Sequence, residues 1–187
     1  MILSDTIYTP RLQLRRITEG DLPQFVAWSH SREAHGEYLT PECIDPERGL
    51  ENIRNSVYWS PTNRIFFVTK KDTTPLGTIH YWLRTEKKEC AVMAVKISEL
   101  KWRNQGFGTE AQKYLILWLF ERMKMSSVEM YTDINNHPQQ SCLKKLGFIQ
   151  VETLNYDDHH VNRVGYLFRL DRSRFTDTPI YRYHYEE

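Results

Sequence analysis

The run Arg103-Asn104-Gln105-Gly106-Phe107-Gly108, set between a strand-like segment and a long apolar helix, carries the clearest chemical signal in the sequence. The entrance of a helix leaves backbone N–H groups without helical partners, and the helix dipole adds partial positive charge there. Glycines remove side chains, so those amides can approach a phosphate closely. Arg103 could add a charge-assisted contact. The same pattern also describes a helix entered through a glycine turn that holds no ligand. A nucleotide-hydrolysing P-loop does not fit, because Thr109-Glu110 stands where Lys-Ser or Lys-Thr is needed. Gly106, Gly108 and Ala111 do satisfy the dinucleotide pattern GxGxxA, with Glu129 near the place of a ribose-binding acid. Against that reading, a stretch of intervening residues separates Ile97 from Gly106, and the preceding strands form a meander rather than βαβ units.

The elements that must position this loop follow from the hydrophobic pattern. Leu12, Leu14 and Ile17 in the stretch Arg11–Ile17 alternate with polar residues, as in a half-buried strand. Thr18 with Asp21 has capping-box spacing, and Leu22, Phe25 and Val26 supply one helical face. Asp45-Pro46 starts a second helix, whose buried stripe is Leu50, Ile53 and Val57. Ile65–Thr69, Thr78–Leu83 and Cys90–Ile97 read as strands, and the short polar links Lys71–Gly77 and Thr85–Glu89 force antiparallel neighbours. From Thr109 to about Met123 runs a helix apolar over much of its surface, so both sides are expected to be covered. Val128–Asp133 is a further strand. Asn136 and Pro138 open a shorter helix that stops at Leu146-Gly147. Phe148–Leu154 and Arg163–Leu170 form a final hairpin across the polar segment Asn155–Asn162. Tyr181, Tyr183 and Tyr185 alternate like a strand that could cover a sheet edge or join a partner chain.

With 187 residues, no internal repeat and no linker, the chain reads as one domain over 1–187, with a core at about 7–170 and an extension at 171–187. A net charge of +1 gives no global reason to bind nucleic acid or an anionic membrane. Arg11, Arg15 and Arg16 read as a solvated strand face. Cys43, Cys90 and Cys142 are odd in number and form no CxxC pair, which suits reduced thiols in a reducing compartment. No metal site is expected: Cys and His never fall at zinc spacings, and His159 and His160 would point to opposite faces of a strand. Without a membrane-length apolar run or a signal-peptide pattern, a soluble cytoplasmic protein is expected.

These residues resemble the GCN5-related N-acetyltransferases. Their coenzyme A loop, R/Q-x-x-G-x-G/A, is matched by Arg103 to Gly108, and Asn136 followed by Gly147-Phe148 matches a second signature. The wider run from Ile97 to Ala111, and the opening Thr9-Pro10-Arg11-Leu12-Gln13-Leu14-Arg15, look like the branch of ribosomal-protein N-terminal and polyamine acetyltransferases. The resemblance covers roughly residues 7 to 170. It implies an α+β fold: a mostly antiparallel sheet of about seven strands, splayed between the fourth and fifth, flanked by about four helices. It further implies acetyl-coenzyme A as co-substrate, with the pantetheine arm along the backbone of Val95, Lys96 and Ile97. The amides of the loop through Asn104, Gln105, Gly106, Phe107, Gly108 and Thr109 would hold the pyrophosphate, Arg103 beside them, and Asn136 would contact the pantetheine or acyl group.

The sequence departs from the family pattern where a general acid is expected. Leu143 occupies the place of a frequent tyrosine, and Gln139 the place of a serine common in the related branch. Ser141, Cys142 and Tyr131 are nearby candidates for that role. The implied reaction is direct attack of a neutral amine on the thioester, with Asp133, His80 and Glu37 as candidate bases. Trp28, Tyr38, Tyr58, Trp59, Tyr81 and Trp82 include residues that could line an amine pocket, although aromatics usually pack the core. The acceptor implied is a peptide N-terminus or a small-molecule amine, and the protein a monomer or homodimer. Two other readings predict different behaviour: a non-catalytic acyl-coenzyme A binding module or sensor, and an enzyme with affinity for NAD.

Overall fold

Nine strands in one sheet and six α-helices make up residues 5–182, the part of the chain that the computed structural model describes. The strands are β1 (Ile7–Tyr8), β2 (Leu12–Arg16), β3 (Trp59–Ser60), β4 (Asn63–Lys70), β5 (Pro75–Leu83), β6 (Cys90–Ile97), β7 (Ser127–Asp133), β8 (Ile149–Asp158) and β9 (Val161–Asp171). The helices are α1 (Leu22–His30), α2 (Arg32–His35), α3 (Pro46–Arg54), α4 (Phe107–Glu121), α5 (His137–Lys145) and α6 (Arg172–Asp177). Strand order is β1-β2-β4-β5-β6-β7-β9-β8, with β3 beside β4. Two compact units divide the chain: residues up to Trp82 with Val95–Gln112, and Leu83–Ala94 with the residues from Lys113 on. β6 and α4 contribute residues to both.

In the first unit, Leu12 and Leu14 of β2 are fully buried and pair across to β4, Leu14 opposite Val68. The meander then continues antiparallel, with Phe66 of β4 opposite Ile79 of β5. Both expected helix starts are present. The Thr18–Asp21 capping box opens a 3-10 turn that leads into α1, and the Asp45 carboxylate accepts from the Arg48 amide at α3. Phe25 and Trp28 of α1 pack with Ile17, Ala34 and Phe67, and the Trp28 ring stacks on Phe67 at 5.3 Å.

In the second unit, β6 and β7 pair in parallel from Cys90 opposite Ser127 to Val92 opposite Glu129. The antiparallel β7–β9 ladder is longer, reaching from Ser127–Asp171 to Asp133–Gly165. Phe120 of α4 stacks on Phe175 of α6 at 4.4 Å. Helix α4 buries Ala111, Leu115, Ile116, Leu117, Leu119 and Phe120, more than one face, as its sequence predicted.

Several expectations are corrected. Strands number nine rather than about seven, because β1 and β3 are two-residue pieces too short to carry a periodicity. Helices number six rather than about four, the additions being four and six residues long. Asn155–Asn162 is not a loop: β8 and β9 run on through it, and the turn is His159-His160, both with positive φ (48° and 67°). Those histidines therefore occupy the hairpin turn rather than two strand faces. Arg11 and Arg15 are not merely solvated. They pair with Glu110 at 2.6 Å and Asp21 at 2.7 Å. Tyr181 lies in a 3-10 turn rather than a strand, buried, with its hydroxyl donating to the Leu146 carbonyl at 2.6 Å. Tyr183 and Tyr185 lie outside the described residues.

Candidate functional site

The loop from Ser98 to Gly106 is anchored at its start by groups from elsewhere in the chain. The amides of Ser98 and Glu99 both donate to the Leu76 carbonyl, at 2.8 and 3.2 Å, and the Glu99 carboxylate accepts from the Trp28 indole at 2.8 Å. A 3-10 turn over Leu100–Trp102 follows, then Asn104 and Gly106 in the left-handed region (φ 59° and 82°). Glycine meets no Cβ penalty in that conformation. The first helical bond of α4 runs from the Glu110 amide to the Gly106 carbonyl at 3.0 Å, so the amides of Phe107 and Gly108 precede it at the positive end of a fifteen-residue helix. At Gly108 an added Cβ would meet only Ile97 Cγ1 at 3.5 Å.

Charge at this entrance is distributed differently from the expectation. The Arg103 guanidinium donates to three backbone carbonyls, Ile97 at 2.7 Å and Glu33 and Ala34 at 2.9 Å each, tying the loop to β6 and α2. Arg11 instead lies at the loop itself. Its Nε and amide donate to the Glu110 carboxylate (2.6 and 2.9 Å), its Nη1 to the Gln105 carbonyl (3.0 Å), and its guanidinium covers the Phe107 ring at 4.2 Å. Burial alone would raise the Glu110 carboxyl, but hydrogen bonds from Thr9 and Arg11 overcome it and hold the group below the usual carboxylate range. A charged Glu110 in the first turn also suits the helix dipole.

Of the proposed bases in this unit, Glu37 is exposed, whereas His80 is half-buried with its Nε2 against Asn63 Oδ1. Burial pushes His80 down to about 4, with Glu42 and Lys96 acting on it in opposite directions. It is therefore neutral at physiological pH. The Lys96 side chain donates to Glu42 at 2.9 Å and meets His35 Nε2 at 3.1 Å. His35 Nδ1 faces the Ser31 carbonyl at 2.9 Å, and since a carbonyl only accepts, Nδ1 carries the proton and Nε2 accepts from the ammonium. Sequence reasoning picked Glu37 from this segment and missed Glu42 and His35. Nothing in the spacing separates an exposed glutamate from one five residues on that reaches a strand lysine.

In the second unit, Asn136 caps α5, its Oδ1 accepting from the Gln139 amide at 3.3 Å, which leaves its Nδ2 as a donor. Asp133 accepts from the Asn135 amide at 2.9 Å and stands 3.5 Å from Arg163. Tyr131 stacks on Tyr156 at 5.5 Å, and its hydroxyl accepts from Arg84 at 2.6 Å. Ser141 is exposed on α5, and Cys142 is a free, half-buried thiol. Leu143 is fully buried, a packing residue.

Residues 11–149 match the acetyltransferase (GNAT) domain family. The chain belongs to that family. No curated protein matches it in sequence. Among solved structures, the ribosomal L7/L12 α-N-protein acetyltransferase RimL in complex with coenzyme A superposes with a TM-score of 0.76 at 11% identity, covering 89% of this chain and 98% of that one. A spermidine N-acetyltransferase SpeG chimera from Vibrio cholerae and hSSAT gives 0.75 at 14% identity, covering 89% and 98%. An aminoglycoside acetyltransferase AAC(6′)-Ib in complex with coenzyme A and kanamycin gives 0.73 at 17%, covering 90% and 99%. All three share the GNAT fold. No helix of the described residues is long and apolar enough to cross a membrane.

Proposed function

We propose that this GNAT protein transfers an acetyl group from acetyl-coenzyme A to a primary amine by direct attack. The observation that carries the reading is the entrance of α4, where a glycine-interrupted loop in the family's motif presents early helix amides between braced arginines. The amides of Gln105–Thr109 receive the pyrophosphate. The backbone of Val95 and Ile97 takes the pantetheine arm. Asn136, with its oxygen committed to the α5 cap, offers Nδ2 to the pantetheine or acyl group.

The proton balance bears on the acceptor. An α-amine with a pKa near 8 is substantially neutral at physiological pH, whereas a lysine-like amine near 10.4 needs roughly 4 kcal/mol of help to deprotonate. His80, pushed down to about 4, is a weak base for that work, and Asp133 is charge-paired with Arg163. This chemistry favours an α-amine, such as a peptide N-terminus, over a simple alkylamine. The buried Leu143 favours a second reading, a non-catalytic acyl-coenzyme A binding module, because a packing residue fills the usual general-acid position.

A thermal-shift titration with acetyl-coenzyme A, coenzyme A and NAD side by side tests the cofactor. Amine-dependent release of coenzyme A then separates enzyme from binding module. Stabilisation by the two coenzyme A ligands and thiol release on adding a peptide amine are expected. Stabilisation without release from peptide or small amines supports the module, and a response to NAD alone removes the cofactor assignment.

A further inference from the structure

Arg103 is the cation that the loop motif places beside the phosphates, yet its guanidinium is turned onto the carbonyls of Ile97, Glu33 and Ala34. Those three bonds engage Nε and Nη2 and fix the group between β6 and α2. A guanidinium so committed braces the loop rather than its ligand. The cation that does stand at the loop comes from the connection between β1 and β2. Arg11 Nη1 is on the Gln105 carbonyl, its plane covers the Phe107 ring, and its Nη2 lies 3.3 Å from where a Cβ on Gly106 would be. Glu110 takes Nε and the Arg11 amide, which orients the fork, while the side chain stays 44% exposed. No hydrogen bond occupies Nη2 among the described residues.

From this we infer that Arg11, not Arg103, supplies the side-chain cation to the pyrophosphate of coenzyme A, with Glu110 as the group that orients it. The inference rests on the coenzyme A reading above. A planar guanidinium pinned by a carboxylate on one edge still presents N–H donors on the other, the geometry that suits a phosphate oxygen. Glycine at position 106 suits this arrangement, since a side chain there would crowd Nη2.

Calorimetric titration of coenzyme A and 3′-dephospho-coenzyme A into wild type, Arg11→Gln and Glu110→Gln tests it, with circular dichroism as the folding control. Arg11→Gln should weaken both ligands roughly 10- to 100-fold, the value of a hydrogen bond to a charged group. The loss should shrink at high salt. Glu110→Gln keeps the cation but loosens the fork that the carboxylate orients, so it should weaken both ligands by clearly less than Arg11→Gln does. Three outcomes overturn the inference: equal affinity of Arg11→Gln and wild type, loss for coenzyme A alone (a 3′-phosphate contact), or equal loss in Glu110→Gln (a strap and nothing more). Wild type that binds neither ligand removes the cofactor reading itself, a distinguishable failure.

Discussion

Gly108 and His80 show what single positions decide. The space beside Gly108 admits a methyl group, with Ile97 Cγ1 at 3.5 Å, so Gly108→Ala should fold and bind coenzyme A within about threefold of wild type. Gly108→Glu places a carboxylate at the proposed phosphate site. It should lose measurable coenzyme A binding while melting within a few degrees of wild type. Undiminished affinity in that variant removes the phosphate assignment. His80 bears on stability instead. Its folded pKa, about 4, lies below the unfolded value near 6.5, so below pH 6.5 the unfolded chain binds the extra proton first. The contribution is complete above pH 6.5 and falls as pH drops towards 4, by at most about 3 kcal/mol. Urea unfolding between pH 7.5 and 4.5 should show a shallower pH slope in His80→Gln than in wild type. Parallel slopes would contradict the burial argument. At this scale the loop glycines were legible in the sequence, because their backbone requirement is local. The direction of each arginine was not, because Arg103 and Arg11 are sorted by carbonyls and a carboxylate far away in the chain.

Strands β7 and β9 illustrate the element scale. Glu129 on β7 is only 1% exposed, yet its carboxyl sits below the usual range because Arg169 and Arg84 donate to it (2.8 and 2.6 Å) against the upward push of burial. Removing one partner of a buried charge cluster typically costs about 3–5 kcal/mol. Glu129→Gln is therefore expected to lower the urea-derived stability by that order, and a loss below about 1 kcal/mol would show the cluster to be dispensable. Gly165 on β9 is the second pressure point: a Cβ there would lie 2.3 Å from the Thr132 carbonyl oxygen and 2.7 Å from the Tyr156 ring. Gly165→Ala should cost more than about 1 kcal/mol, through separation of the β7–β9 and β8–β9 pairs, and an unchanged urea midpoint would contradict it. The period-two and helical patterns located β2, β4, β5, β6, β7 and the longer helices within a few residues. The hairpin β8–β9 was expected but drawn too short, because the mostly polar residues Asn155–Asp158 and Val161–Asn162 are made β by the ladder between the two strands and not by their hydropathy.

Across the whole chain, a net charge of +1 gives little long-range attraction for a polyanion, so the proposed cofactor would depend on local groups at the α4 entrance. Linkage then sets the measurable effect. A ligand at about a hundred times its dissociation constant adds roughly 2.7 kcal/mol, which for a domain of this size moves the melting temperature by about 5–10 °C. Acetyl-coenzyme A should produce such a shift, and its absence at saturating concentration would count against the site. The order of the longer elements, the glycine loop, the capped starts of α3 and α5, and membership of the GNAT family were all determined by the sequence alone. Each depends on residues close together in the chain, whose turn, cap and periodic signals survive without knowledge of the fold. Only the tertiary structure decided that Arg103 braces backbone while Arg11 faces the loop, that Glu42 and His35 meet Lys96, and that Leu143 is core. Side-chain direction and burial follow from neighbours brought together by folding, and no spacing along the chain encodes them.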